Sequence, residues 1–389
     1  MRPVASRGIF VVLTTIAAFA ASTAAQRDTG AGGLGQNAAL RYWQAFAHLP
    51  KFDDAQQKLL AEPPGAGAPS PDAIKLVESG KDALLYLRRG AAIGPCEWGL
   101  HREDGPYLLL PHLAKARDLG RLACLEARAD FAKGDNAAGV DAAADTLTLG
   151  RHASSDLTAI ISYLVQIAVE RVAIETLAPH LAGLDPGSLD RLDRRVAALP
   201  PGGSIEQCMR VERDAFLEWA VTHLREMKDE DPWKERVLGP FSANESKESR
   251  DKVDQVVAAS GGTRQGVLKQ FEALRPMYDQ LGQILKLPRD EFRAKFAELE
   301  KQAQSNPVAS AVLPSMTKVY DRDAAARTRM AMLRAAIAVA RGGPDRARQF
   351  KDAGGNPLEY RATADGFELI SKVVDDDKPV TLKVGGKKG

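Results

Sequence analysis

The chain has 389 residues, a formal net charge of +2, 44% apolar residues and 6% aromatics. That balance describes a soluble globular protein and excludes a disordered or fibrous chain. Near-zero charge also argues against a dedicated nucleic-acid binder, whose phosphate affinity comes from clustered Lys and Arg.

In chain order, Met1 to Ala25 reads as a secretory signal peptide. Arg2 and Arg7 form a basic start, Gly8 to Ala21 is apolar, and Thr23-Ala24-Ala25 supplies small residues for cleavage. The apolar stretch is short for a membrane span of about 20 residues. The chain is therefore expected to be exported to the periplasm or beyond, with no transmembrane span left after cleavage. Cleavage removes Arg2 and Arg7 and leaves acidic and basic side chains balanced, so long-range steering of a charged partner is not expected. Export permits a disulfide. The three cysteines (Cys96, Cys124, Cys208) leave one thiol over and match no metal spacing. Each is expected to be a small buried hydrophobe.

Residues 26–36 are Gly- and Ala-rich and expected to be flexible. Asn37 can cap a helix carrying Leu40, Trp43, Phe46 and Ala47, stopped by Pro50. A second helix spans about Asp53 to Ala61, and Pro63 to Pro71 is a linker. Pro71-Asp72 opens a helix with Ile74, Val77, Leu84 and Leu85 on one face. Gly90 to Pro111 has no periodicity. His112 to Lys133 and Ala137 to Arg151 form two helices around the breaker Gly134-Asp135-Asn136. Ser155 is placed to cap a third helix, with Leu157, Ile160, Ile161, Leu164, Ile167 and Ala168 apolar nearly all round. Pro186 starts a helix carrying Leu189, Leu192 and Val196. Ser204 caps the next, whose inner face is Ile205, Met209, Phe216, Trp219 and Leu224.

Residues 229–264 are polar and charged, and expected as a linker or mobile loop between an N-terminal helical domain (37–228) and C-terminal helices (265–341). There Leu268 to Leu285 reads as one helix, Pro288 starts another with Phe292, Phe296 and Leu299, and Asn306 to Pro314 is a loop. A last helix covers about Met316 to Arg341. The period then changes from 3.6 to 2. Leu358, Tyr360 and Ala362, then Phe367, Leu369 and Ser371, then Val380, Leu382 and Val384 alternate around two turns. Residues 355–384 are thus an antiparallel meander, and 385–389 a disordered tail. The predicted fold class is mostly α: a multi-helix bundle or helical-hairpin array with a small C-terminal β meander. The absence of strand–helix alternation argues against a parallel sheet and its nucleotide crevice.

Three resemblances add to this reading. Residues 113–151 resemble one tetratricopeptide-type helical hairpin, through Gly134-Asp135 followed by Val140 and Leu147. Gly139 stands where that family usually has Ala, and no second copy follows at a period of about 34 residues. Gly355-Asn356-Pro357-Leu358-Glu359-Tyr360-Arg361 with Gly366-Phe367-Glu368-Leu369-Ile370-Ser371 is similar to the C-terminal hairpin of type II secretion pseudopilins. That resemblance implies calcium binding by Asp375, Asp376 and Asp377; a solvated charge cluster is the alternative. The whole layout is similar to a group of uncharacterised exported helical bacterial proteins. The similarity rests on Asn37-Ala38-Ala39-Leu40 with Tyr42, the Cys96-Glu97-Trp98-Gly99 loop and the C-terminal hairpin, and it implies no activity.

No H-E-x-x-H, G-x-S-x-G or phosphate-loop motif occurs. Ser315-Met316-Thr317-Lys318 matches the S-x-x-K of penicillin-recognising enzymes, but K-T-G is missing and Ser315 reads more simply as an N-cap. Functional residue types concentrate between Cys96 and His112. Trp98 and Tyr107 are placed to stack a ligand while Arg102 grips an anion. His101 with Glu103 or Asp104, helped by His112, would suit a metal, but neighbours in one loop seldom converge on one ion, so no metal or cofactor is expected. The competing reading is a loop packed over the bundle, with Trp98 as a plug. The expected function is an exported helical binding or scaffold module of the bacterial cell envelope, presenting a face to a protein or peptide. The alternative is a secreted carbohydrate-active hydrolase with paired carboxylates in a cleft and no recognisable motif.

Overall fold

A computed structural model describes residues 36–62, 67–156, 158–242, 247–312 and 316–386. The expected leader 1–25, nearly all of the flexible segment 26–36, part of the Pro63–Pro71 linker, Leu157, Ser315 and the end of the tail lie outside these residues. The described chain is mostly α, with one three-stranded antiparallel sheet at its C-terminal end.

Caps that are visible in the sequence open the first helices. Asn37 accepts from the Ala39 N–H at the start of α1 (Ala38–His48). Asp53 and Gln56 form a capping box on α2 (Asp54–Ala61). The single helix expected after Pro71 is two, α3 (Pro71–Ser79) and α4 (Lys81–Ala91). They part at Gly80, where a Cβ would lie 2.4 Å from Leu122 Cδ2. The inner stripe of α1 is Ala38, Ala39, Tyr42, Ala45 and Phe46, which leaves Leu40 exposed against expectation.

The hairpin expected around Gly134 is α5 (Pro111–Ala132) and α6 (Asn136–Ala153), with Gly134 at φ 82°. Helix α7 (Ile160–Leu181) packs on both. Ser155 does not cap it; its hydroxyl donates to the carbonyls of Cys96 (2.8 Å) and His152 (2.9 Å). Ile161 is exposed rather than buried, so α7 is not apolar-packed all round.

Asp185 caps α8 (Pro186–Ala197). A Ser204–Gln207 capping box opens α9 (Ile205–Val211), which passes through a π-helical turn, Glu212–Leu217, into α10 (Glu218–Glu226). The described residues of 229–264, expected as a linker or mobile loop, are largely helical. They include a second π turn (Lys234–Leu238) and α11 (Lys247–Ala259), and they bury Trp233, Val237, Leu238 and Val256. These apolar residues are too sparse to print a period yet sufficient to anchor the segment.

Next come α12 (Arg264–Glu272) and α13 (Arg275–Ile284). They divide another single expected helix, because Pro276 lacks the N–H that continuity needs. Then α14 (Arg289–Ala303) leads to α15 (Pro307–Val312), which forms inside an expected loop because Asn306 Oδ1 accepts from the N–H groups of Val308 (3.0 Å) and Ala309 (3.2 Å). The last helix is α16 (Met316–Gly342).

Strands β1 (Glu359–Thr363), β2 (Gly366–Asp375) and β3 (Lys378–Gly385) pair in sequence order. The β2–β3 turn places Asp376 and Asp377 at φ 48° and 62°, as a type I′ turn requires. Arg329 holds Asp375 at 2.6 Å and Arg322 lies 4.0 Å from Asp376. Arginines therefore face two of the three acidic residues of this turn. Phe367, Leu369, Val373, Val380, Leu382 and Val384 bury the sheet's inner face against α7 and α16. A second buried cluster joins α1–α6 and a third joins α9–α15 with the start of α16. The three cysteines are free and buried. Among the described residues no helix is long and apolar enough to cross a membrane.

Candidate functional site

The loop between α4 and α5 and the first turn of α5 send the seven candidate residues in three directions. Trp98 and His112 turn inward. Their rings stack at 4.4 Å, and Tyr42, Phe46 and the edge of Trp43 complete the cluster at 5.6–5.9 Å. The Trp98 indole N–H donates to the His152 carbonyl at 2.7 Å. His152 Nε2 donates to the Gly94 carbonyl (3.0 Å), so its Nδ1 accepts the Tyr42 hydroxyl (2.8 Å). His112 Nε2 donates to the Ala153 carbonyl (3.2 Å), which leaves Nδ1 a buried acceptor with no partner. Burial pushes His112 down to about 4 and His152 down as well. Trp98 and His112 are thus a neutral, packed plug and neither stacks an incoming ligand nor joins His101.

His101, Arg102, Glu103 and Asp104 face solvent. Arg102 Nη2 donates to Asp156 Oδ1 (2.9 Å), tying the loop to the entry of α7. His101 lies 3.2 Å from Glu103, and the Glu103 carboxyl is pulled below its ordinary range by its own backbone N–H and by His101. The Asp104 N–H closes a turn on the His101 carbonyl (3.1 Å). Among the described residues no three His, Cys, Asp or Glu side chains are grouped to hold a metal ion.

The third direction leads to α10. The Tyr107 hydroxyl shares its proton between the carbonyls of Glu235 (3.1 Å) and Arg236 (3.0 Å). The Trp219 indole N–H donates to the Glu103 carbonyl (3.1 Å), and Trp219 stacks on His223 at 4.0 Å. Gly105, at φ 56°, lies flat on the Trp219 ring, where a Cβ would approach within 2.4 Å. The loop is therefore a clasp that joins the first helices to the α9–α15 region.

Under this clasp lies a pocket of about 250 Å³. Pro106 roofs it, and Glu212, Phe216, Trp219, Phe271, Tyr278 and Val308 are among its walls. The π turn widens the helix by one residue, so Glu212, Phe216, Leu217, Trp219 and Ala220 all reach the same space. One Glu212 oxygen accepts the Ile160 N–H at 3.1 Å and so caps α7 from outside. Among the described residues no cation pairs with this carboxyl, and burial raises it to about 7. Burial, then the Glu212 charge, raises the Tyr278 hydroxyl as well. The sequence reading missed Glu212 and Tyr278. Its available signal was a carboxylate in register with the apolar stripe Ile205, Met209, Phe216 and Trp219.

A wider cleft of about 770 Å³ is lined by Arg88, Asp141, Asp145 and Arg195 among others. Asp145 is pushed up to about 6, by burial against the pull of Arg195. Both oxygens of Asp141 are taken by Arg191, whose Nε donates at 2.6 Å. Arg195 pairs with Asp145 and reaches Asp141 at 3.7 Å. No family model, curated protein or solved structure matches the chain.

Proposed function

We propose that the chain is an exported helical binding protein of the bacterial cell envelope, and that its working site is the clasped pocket, which takes a small apolar ligand. One observation carries this reading. A carboxyl without a cationic partner faces an apolar, aromatic pocket at a π turn, beneath a loop rich in functional residue types. A site of this size suits a small molecule better than a protein face. The hydrolase alternative has Asp141 and Asp145 one turn apart in a cleft, but the bidentate ion pair of Arg191 with Asp141 favours the ionised form of that carboxylate and weakens it as a base or nucleophile.

The test is ligand binding to the full chain, followed by calorimetry with 2-phenylethanol and 2-phenylethylamine, beside an Ala220→Phe variant that fills the pocket. Saturable binding of either compound, lost in Ala220→Phe, supports the reading. Absence of binding by both, or binding undiminished in the variant, overturns it.

A further inference from the structure

Burying a carboxyl among apolar side chains costs free energy unless a cation or several hydrogen bonds compensate. Glu212 is half-buried, and its one protein hydrogen bond, from the Ile160 N–H, occupies one oxygen only. Among the other walls of this space of about 250 Å³ are the aromatic side chains Phe216, Phe271 and Tyr278 and the edge of Trp219, whose ring is already packed against His223 and Gly105. Ring faces carry negative electrostatic potential and attract ammonium groups, most strongly where water is excluded. The carboxyl and any ring face open to the pocket favour the same sign of charge. An anionic ligand would be repelled by the carboxyl, and a neutral hydroxyl could offer it a hydrogen bond but no opposite charge.

From this complementarity we infer that the pocket selects a small hydrophobic amine, its ammonium group against Glu212 and its apolar body among the four rings. The inference rests on the pocket being the ligand site proposed above. The carboxyl, raised to about 7 by burial, is partly protonated near neutral pH and loses that proton to solvent when the ammonium arrives, since an opposite charge in contact favours its ionised form. Tyr278, raised by burial and by Glu212, stays a neutral hydroxyl beside it.

Calorimetry on the full chain tests this with three probes of one shape: 2-phenylethylamine, 2-phenylethanol and phenylacetate. The amine is expected to bind about tenfold more tightly than the alcohol, and phenylacetate least. Glu212→Gln keeps an oxygen for the Ile160 N–H, and it is expected to abolish the preference for amine over alcohol. Circular dichroism of the variant checks that α7 stays folded. If the alcohol binds as tightly as the amine to the unaltered chain, the amine inference falls while the pocket remains a ligand site. If neither binds, both fall. A preference that persists in a folded Glu212→Gln protein also overturns the inference, and the probe series on the unaltered chain decides the matter should the variant not fold.

Discussion

His112 shows how one buried ring ties stability to pH. Its pKa is about 4 in the folded protein, against about 6.5 for an unfolded histidine. The folded state therefore resists the proton. The stability contributed by the neutral ring is complete above pH of about 6.5 and is lost as pH falls toward about 4. That difference corresponds to about 3 kcal/mol. Urea unfolding of the protein and of His112→Phe, compared across this window, should show the histidine form losing about that much relative to the phenylalanine form. Gly105 carries a different constraint. A methyl group there meets the Trp219 ring, and φ 56° is strained for any L side chain. Gly105→Ala should cost about 1–3 kcal/mol in urea unfolding. The sequence marked the loop as unusual, but it could not separate inward from outward residues. Trp98, His101 and Tyr107 carry no periodicity, so their directions depend on what the neighbouring helices offer.

Among the elements, the α5–α6 hairpin was legible from its breaker and its two apolar stripes, but its closeness was not. Gly139 sits where a Cβ would lie 2.7 Å from the Phe131 ring. The Ala usual at this place in the helical-repeat family that the hairpin resembles should therefore lower stability here. Gly139→Ala is expected to cost about 1–3 kcal/mol by thermal or urea unfolding. The acidic β2–β3 turn has the opposite potential. Asp377 holds φ 62°, which glycine adopts without penalty, so Asp377→Gly should raise stability by about 1 kcal/mol in the same assays. The caps at Asn37 and Ser204 and the helix starts near Asp53 and at Pro186 were visible because helix termination is a local event. The breaks at Gly80 and before Pro276, the π turn and the docking of 229–264 were not. Each depends on a partner far along the chain or on a small departure from ideal helix geometry.

Across the molecule, Arg151 of α6 pairs with buried Glu170 of α7, which also accepts from Gln166 Nε2 at 3.0 Å. Arg151 in turn donates to the Pro200 carbonyl at 3.1 Å. Arg151→Met should cost about 3–5 kcal/mol, because it strands the Glu170 carboxyl away from water; equilibrium unfolding reads this directly. The clasp joins the α1–α6 and α9–α15 regions with far lighter bonds. Tyr107→Phe removes the hydroxyl shared by the Glu235 and Arg236 carbonyls. Amide exchange over residues 234–240 should then speed up by about tenfold, with little change in global stability.

Composition and periodicity by themselves determined the helical class, the order of most elements and the terminal meander. These follow from which residues recur every 3.6 or every 2 positions, a property of the chain read locally. Only the tertiary structure decided that Trp98 and His112 are interior, that Asp141 is held by Arg191, and that Glu212 shares a pocket with four aromatic side chains and, among the described residues, no cation. Burial and charge compensation are relations between segments distant in sequence, and the character of a carboxyl depends on what surrounds it once those segments meet.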